Sequence, residues 1–268
     1  MADIVVLISA LCRYLTGRFG EAAAIATQAR AAGRDRHDPT VQLWGLLVLL
    51  ESQLRVDAGD PAIAAWLEEA DQLGRQNVAR IDVVRAQVAA ARFHLAGGRP
   101  ADAWRAIRTA ADLAGPGPSF ASYTLEAHAG LPEVCLALLE RGEPTGVDPA
   151  ELRATVAAGL RRLRRYARSF PMARPRALVC LGWSRWLQGR HGAARRAWTR
   201  AIAEAERLAM PWELVNAHHQ LGRHLAAGQR SPLGLDRTGH LDRARSTFAA
   251  LGCRTDPTGP TGAVGRHT

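Results

Sequence analysis

The sequence predicts an all-α protein: a right-handed α-solenoid of about six helical hairpins, followed by a disordered C-terminal tail. Three observations carry this. Alanine, leucine and arginine dominate the 268 residues, while the β-branched and aromatic residues that strands favour are sparse. Turn glycines recur at Gly17, Gly59, Gly98, Gly142, Gly189 and Gly228, 39–47 residues apart, as expected of two-helix repeats with periods of ~40–47. Apolar positions between them repeat at helical spacing. With 47% hydrophobic and 22% charged residues, the chain is globular and long enough to bury a substantial core.

The elements follow in order. A first helix over 3–15 carries Ile4, Val5, Val6, Leu7, Ile8 and Leu11, with no polar capping helix before it. Such a solenoid end exposes apolar surface, so the array is expected either to continue on another molecule or to have lost an upstream part. Helix 19–32 follows Gly17. Asp38–Pro39 is a helix start, opening 39–57. Its apolar run from Leu43 to Leu50 is far short of the ~20 residues that span a bilayer. A weaker turn near Gly59 leads into 61–74. Helices 78–96 and 100–114 flank Gly98, and Gly115-Pro-Gly-Pro118 then breaks the chain. Helix 121–141 ends at the Gly142–Pro149 break, 149–169 follows, and 173–188 and 191–209 flank Gly189. The last pair, 211–227 and 238–252, carries about ten extra residues around Ser231–Thr238. No low-complexity linker divides residues 1–253, which read as one domain, while 254–268 is a Gly/Pro/Thr-rich tail.

Within this pattern Gly182, Gly189, Ala194, Trp198 and Ala201 set offsets of +7, +12, +16 and +19. Ala91, Gly98, Ala103, Ile107 and Ala110 repeat them in register, and Ala10, Gly17, Ala22, Ala26 and Ala29 do so more weakly. In the last unit Gly222 leads to Ala244 and Phe248 across the insertion. Small residues let two helices approach, and the large one fills the hole between them. The spacing resembles the tetratricopeptide (TPR) pattern, with longer helices and loops. The strings EVCLALLERG, LRRLRRYARSFPMARPRALVCLGWSRWLQGR, ARRAWTRAIAEAERLAMPWELVNAHHQLGRHL and HLDRARSTFAALG further resemble the C-terminal helical-repeat region of large bacterial proteins. Those proteins carry a class III adenylate/guanylate cyclase domain and an AAA-type ATPase domain. The resemblance implies a regulatory or scaffolding region standing alone, or a fragment of a larger reading frame. It does not imply cyclase activity.

Composition excludes several chemistries. All 35 basic residues are arginine. P-loops, protein kinases and Schiff-base enzymes need a lysine, and arginine stays protonated. Asn216–His224 holds three histidines, but their spacings of one, five and six carry no intervening acid and miss the zinc-helix pattern; structural roles are expected. Gly182-Trp-Ser184-Arg-Trp186 lacks the second glycine of a nucleophile elbow. Gly115-Pro-Gly117-Pro-Ser119 lacks the N–H donors of a phosphate cradle. Trp104, Trp183, Trp186 and Trp198 are expected in the inter-repeat core. No enzyme, cofactor or metal is expected. Cys12, Cys135, Cys180 and Cys253 are scattered singly, and Met-Ala-Asp is no signal-peptide start, so a cytoplasmic protein is expected.

The net charge of +10 is localised. Between Glu151 and Glu204 there are 13 arginines and no acid; the rest of the chain sums to −3. Leu152, Val156, Leu160, Leu163, Ala167 and Phe170 form one stripe of helix 149–169, which places Arg161, Arg164, Arg165 and Arg168 on the opposite face. With Arg195 and Arg196 they form the candidate partner-binding surface. The expected function is a non-enzymatic interaction or regulatory scaffold that docks an acidic protein partner. Two rivals stay open: the regulatory arm of a cyclase or signalling ATPase, and a nucleic-acid-binding regulator. Nucleic acid is disfavoured, because Tyr166 is the face's only aromatic residue.

Overall fold

A computed structural model describes residues 2–76, 78–115, 121–142 and 146–254. Among these, the chain is all-helical, with twelve α-helices, two short 3-10 turns and no strand. The helices are α1 (Ala2–Leu15), α2 (Phe19–Asp35), α3 (Pro39–Val56), α4 (Ala62–Gly74), α5 (Arg80–Ala96), α6 (Pro100–Leu113), α7 (Leu125–Arg141), α8 (Pro149–Ser169), α9 (Arg174–Leu187), α10 (His191–Arg207), α11 (Pro211–His224) and α12 (Arg237–Ala250). The tail from 255 onward, most of the break at Gly115–Pro118 and part of that at Gly142–Pro149 lie outside the described residues.

Local chemistry sets the helix ends. Asp38 caps α3 by accepting from the Thr40 and Val41 amides at 3.0 and 3.1 Å, with Pro39 in the first turn. Asp148 caps α8 and Asp236 caps α12 in the same way. Gly17, Gly98, Gly142, Gly189 and Gly228 all take positive φ at their turns, which only glycine adopts at no steric cost. Gly59 does not; its turn is closed instead by its own amide donating to Asp57 Oδ1. The helix expected to run to residue 227 stops at His224, because Leu225 is already extended.

Each helix packs on the next, and each odd-numbered helix also packs on the next odd one. Pairing of Trp186 with His191 and of Val179 with Trp198 shows that α10 runs back along α9. The signature positions Ala91, Ala103, Ile107, Ala110, Ala194, Trp198, Ala201, Ala244 and Phe248 are all buried, as are Gly182 and Gly222. A Cβ on Gly182 would lie 2.6 Å from Trp198 Cδ1, and one on Gly222 would lie 2.7 Å from Leu241 Cγ. Both glycines are therefore contact points between helices.

The two ends of the chain share a core. Ala10, Tyr14, Phe19, Ala22 and Ala26 pack with Val48 and Leu49 and with Trp212, Val215, Ala244 and Phe248. The Phe19 and Trp212 rings meet edge to face at 5.7 Å. A Cβ on Gly17 would meet Leu251 at 2.5 Å. The Arg254 amide donates to the Val56 carbonyl at 2.7 Å. At the start of α1, Ile4, Val5 and Ile8 remain more than half exposed.

Candidate functional site: a neutralised interior and a basic outer face

All six odd-numbered helices contribute to one buried polar network. Glu126 on α7 accepts from Tyr14 of α1 at 2.8 Å and from Arg55 of α3 at 3.1 Å. It also accepts from Arg92 of α5 and lies 3.5 Å from Arg176 of α9. Arg176 grips Glu213 of α11 with two donors and gives a third to Glu133 at 2.8 Å. Arg92 reaches the other Glu133 oxygen at 2.7 Å. Three guanidinium groups thus face three carboxylates. Arg55 also lies over the Trp212 ring, 4.2 Å from its centroid. Beside this hub, Arg85 holds Glu51 bidentately at 2.9 and 3.0 Å, and Asp82 accepts from Trp44 Nε1.

The network polarises its own members. Burial opposes the Glu126 charge, yet Arg92, Arg55 and Arg176 hold its carboxyl well below the usual range. Glu133 is lowered against burial by Arg176 and Arg92. Glu51 is pushed upward by burial, against the pull of Arg85. These pairs neutralise the buried charges of the hub against one another. They also occupy polar side chains of all six odd-numbered helices.

The network takes one arginine out of the acid-free stretch between Glu151 and Glu204: Arg176 is 2% exposed and fully paired. A signal was present: Arg176 sits at helical spacing with the buried Val179 and Cys180, on the apolar stripe of α9. The sequence expectation for Tyr166 is corrected. The residue is buried, stacks on His128 at 4.4 Å and donates to the Ser122 carbonyl at 2.7 Å. It is not part of the arginine face.

That face is otherwise placed as expected. Arg161, Arg164, Arg165, Arg168 and Arg196 are exposed, and among the described residues no carboxylate pairs with them. Arg195 is half-buried and donates to Gln229 Oε1 at 2.7 Å. Arg162 turns inward to the Gly115 carbonyl. Leu152, Val156, Leu160, Leu163 and Ala167 are the buried stripe opposite. Below the face, a cavity of about 460 Å³ opens between α7, α8 and α9. Arg153, Arg161, Arg164, Arg185 and Arg190 line it together with Leu136, Leu139, Val156, Leu160, Leu181 and Leu187, and no acid does. The Arg185 pKa is depressed by partial burial and then by Arg190, Arg164, Arg196 and Arg200.

Two histidines of the last helical pair meet each other. His218 and His240 meet Nδ1 to Nδ1 at 2.8 Å, and His240 Nε2 meets Ser231 Oγ at 2.8 Å. Burial, then His240 and Arg243, lower the His218 pKa to about 4. Ser231 Oγ also accepts from the Leu233 amide, so the chain of three clamps the long α11–α12 connection. No described cavity reaches it. His224 lies beside Trp198 and 3.4 Å from Glu140. Among the described residues no cluster of His, Cys, Asp and Glu could hold a metal, and no helix is long and apolar enough to cross a membrane.

No family model, curated protein or solved structure matches the chain.

Proposed function

We propose that the chain is a non-enzymatic interaction module, a TPR-like right-handed solenoid of six hairpins in one domain, that docks an acidic protein partner on α8 and α10. The observation that carries the docking claim is the exposed, acid-free set Arg161, Arg164, Arg165, Arg168 and Arg196. The repeat reading is supported by odd helices packing on successive odd helices and by the buried signature residues. The interior network favours the outer face over the usual inner one, because the inner polar side chains already bind each other. Like charges four residues apart, as at 161/165 and 164/168, repel by a few tenths of a kcal/mol per pair. An acidic partner relieves that repulsion, and burial of Tyr166 leaves the face without a stacking aromatic for bases.

The test compares partners retained from cell extract by the wild type and by R161Q/R164Q/R165Q/R168Q, across a salt series. R80Q/R237Q, which removes exposed arginines elsewhere, is the control. Selective loss of salt-sensitive partners from the quadruple variant supports docking; identical partners at identical salt tolerance refute it. A second reading, the regulatory arm of a cyclase or AAA-type ATPase, rests on the resemblance of residues 133–252. Direct binding to such an enzyme, measured with purified components, would support it.

A further inference from the structure

The cavity between α7, α8 and α9 has two chemistries in one space. Its floor is aliphatic, with Val156, Leu160 and Leu181, and its rim is cationic, with Arg161, Arg164 and Arg185. No carboxylate lines it, and none of the three rim arginines has an acid partner among the described residues. A purely apolar occupant would strip water from unpaired guanidinium groups, which is costly. A bare anion would leave the leucine floor wet, including Leu187, which is 38% exposed. Only a molecule carrying both an anionic head and an apolar body suits floor and rim together. The volume of about 460 Å³ falls in the range of small-molecule sites, roughly 300–1,000 Å³.

We propose that this cavity binds a small amphipathic anion, a phosphate or carboxylate head on an apolar body, seated between α7, α8 and α9. The head pairs with Arg161 and Arg164, for which a planar fork of donors is well suited. The body lies on Val156, Leu160 and Leu181. The site goes beyond the docking reading: Arg165 and Arg168 do not line it, so the two claims separate experimentally.

Isothermal titration calorimetry of the full chain below micellar concentrations tests it with four probes: decyl phosphate, decanoate, decyl maltoside and inorganic phosphate. At least one anionic amphiphile should bind saturably at one site per chain, about tenfold or more tighter than decyl maltoside or inorganic phosphate. Tighter binding of decyl phosphate than of decanoate assigns a phosphate head, and the reverse order assigns a carboxylate. R161Q/R164Q should weaken binding about tenfold. Ala157→Phe, which fills the cavity from an exposed position, should weaken it as well. R165Q/R168Q should leave it unchanged while reducing partner docking. The proposal is overturned by no saturable binding of either amphiphile, by inorganic phosphate matching them, or by retention of full affinity in A157F.

Discussion

Replacing Glu126 by Gln isolates the balance of the interior hub. The substitution keeps the side chain's shape, removes its charge and turns one acceptor into a donor facing guanidinium groups. Arg55, Arg92 and Arg176 would then face only Glu133 and Glu213. One buried cation is left uncompensated, a change that costs roughly 3–5 kcal/mol. Domains of this kind are stable by about 5–15 kcal/mol, so E126Q should consume a large share of the total. Urea unfolding followed by far-UV circular dichroism at pH 7 measures the loss as a shift in midpoint. The double variant E126Q/R92M restores two cations against two anions. Its cost should fall short of the summed single costs by about 1–3 kcal/mol. Additive costs, or an E126Q cost below about 1 kcal/mol, would refute the view that charge balance holds the hub together.

Three further outcomes are expected. Gly182→Ala pushes a methyl into the buried Trp198 ring and strains its hydrogen bond to the Val179 carbonyl; it should cost about 2–4 kcal/mol in the same assay. His128→Phe keeps the stack on Tyr166 and removes two buried ring nitrogens that have no partner; it should raise stability at pH 7 by about 1–2 kcal/mol, which thermal melts will read. Stability should also fall with pH. Burial, then Arg162, lowers the His128 pKa from 6.5 to about 4, and His218 is lowered to about 4 as well. The unfolded chain therefore binds more protons than the folded one between these values. Their contribution is complete above pH 6.5 and is lost as pH falls toward 4, on the order of 2–4 kcal/mol for each histidine. Glu126 and Glu133, held low, add a further loss on acidification. H128F should remove close to one proton from the midpoint's pH dependence, and an unchanged slope would contradict the assignment.

The helices were legible because each leaves a local mark. Asp38–Pro39 and Asp148–Pro149 are caps readable within four residues, and Gly17, Gly98 and Gly189 are turns by conformational need. The stripe Leu152–Val156–Leu160–Leu163 correctly sent Arg161, Arg164, Arg165 and Arg168 outward. The interior network was not legible, since its partners lie far apart: Tyr14 and Glu126 are separated by 112 residues and Arg176 and Glu213 by 37. Periodicity assigns a face to a charge but gives no partner. Arg176 shows the gap, since its place on an apolar stripe is compatible with burial but names neither Glu213 nor Glu133 as its partner. The cavity was equally hidden. Its lining comes from three helices, and spacing along one helix does not show which neighbours Leu181 and Leu187 will face.

Contact between the first and last hairpins also sets the order in which the molecule can be completed. In an open repeat array each unit needs only its neighbours, so folding follows the ribosome. Here Phe19 meets the Tyr14 ring early but gains its edge-to-face contact with Trp212 only once that residue has been made, and Gly17 seats against Leu251. At a synthesis rate of about 5–20 residues per second, the intervening stretch takes roughly 10–40 s. Over that time the N-terminal helices are covered by α3 but lack the part of their core that Trp212, Val215, Ala244 and Phe248 complete. The last two helices and the residue that follows them therefore supply the late partners of the first two, and losing them would uncover residues made about two hundred positions earlier.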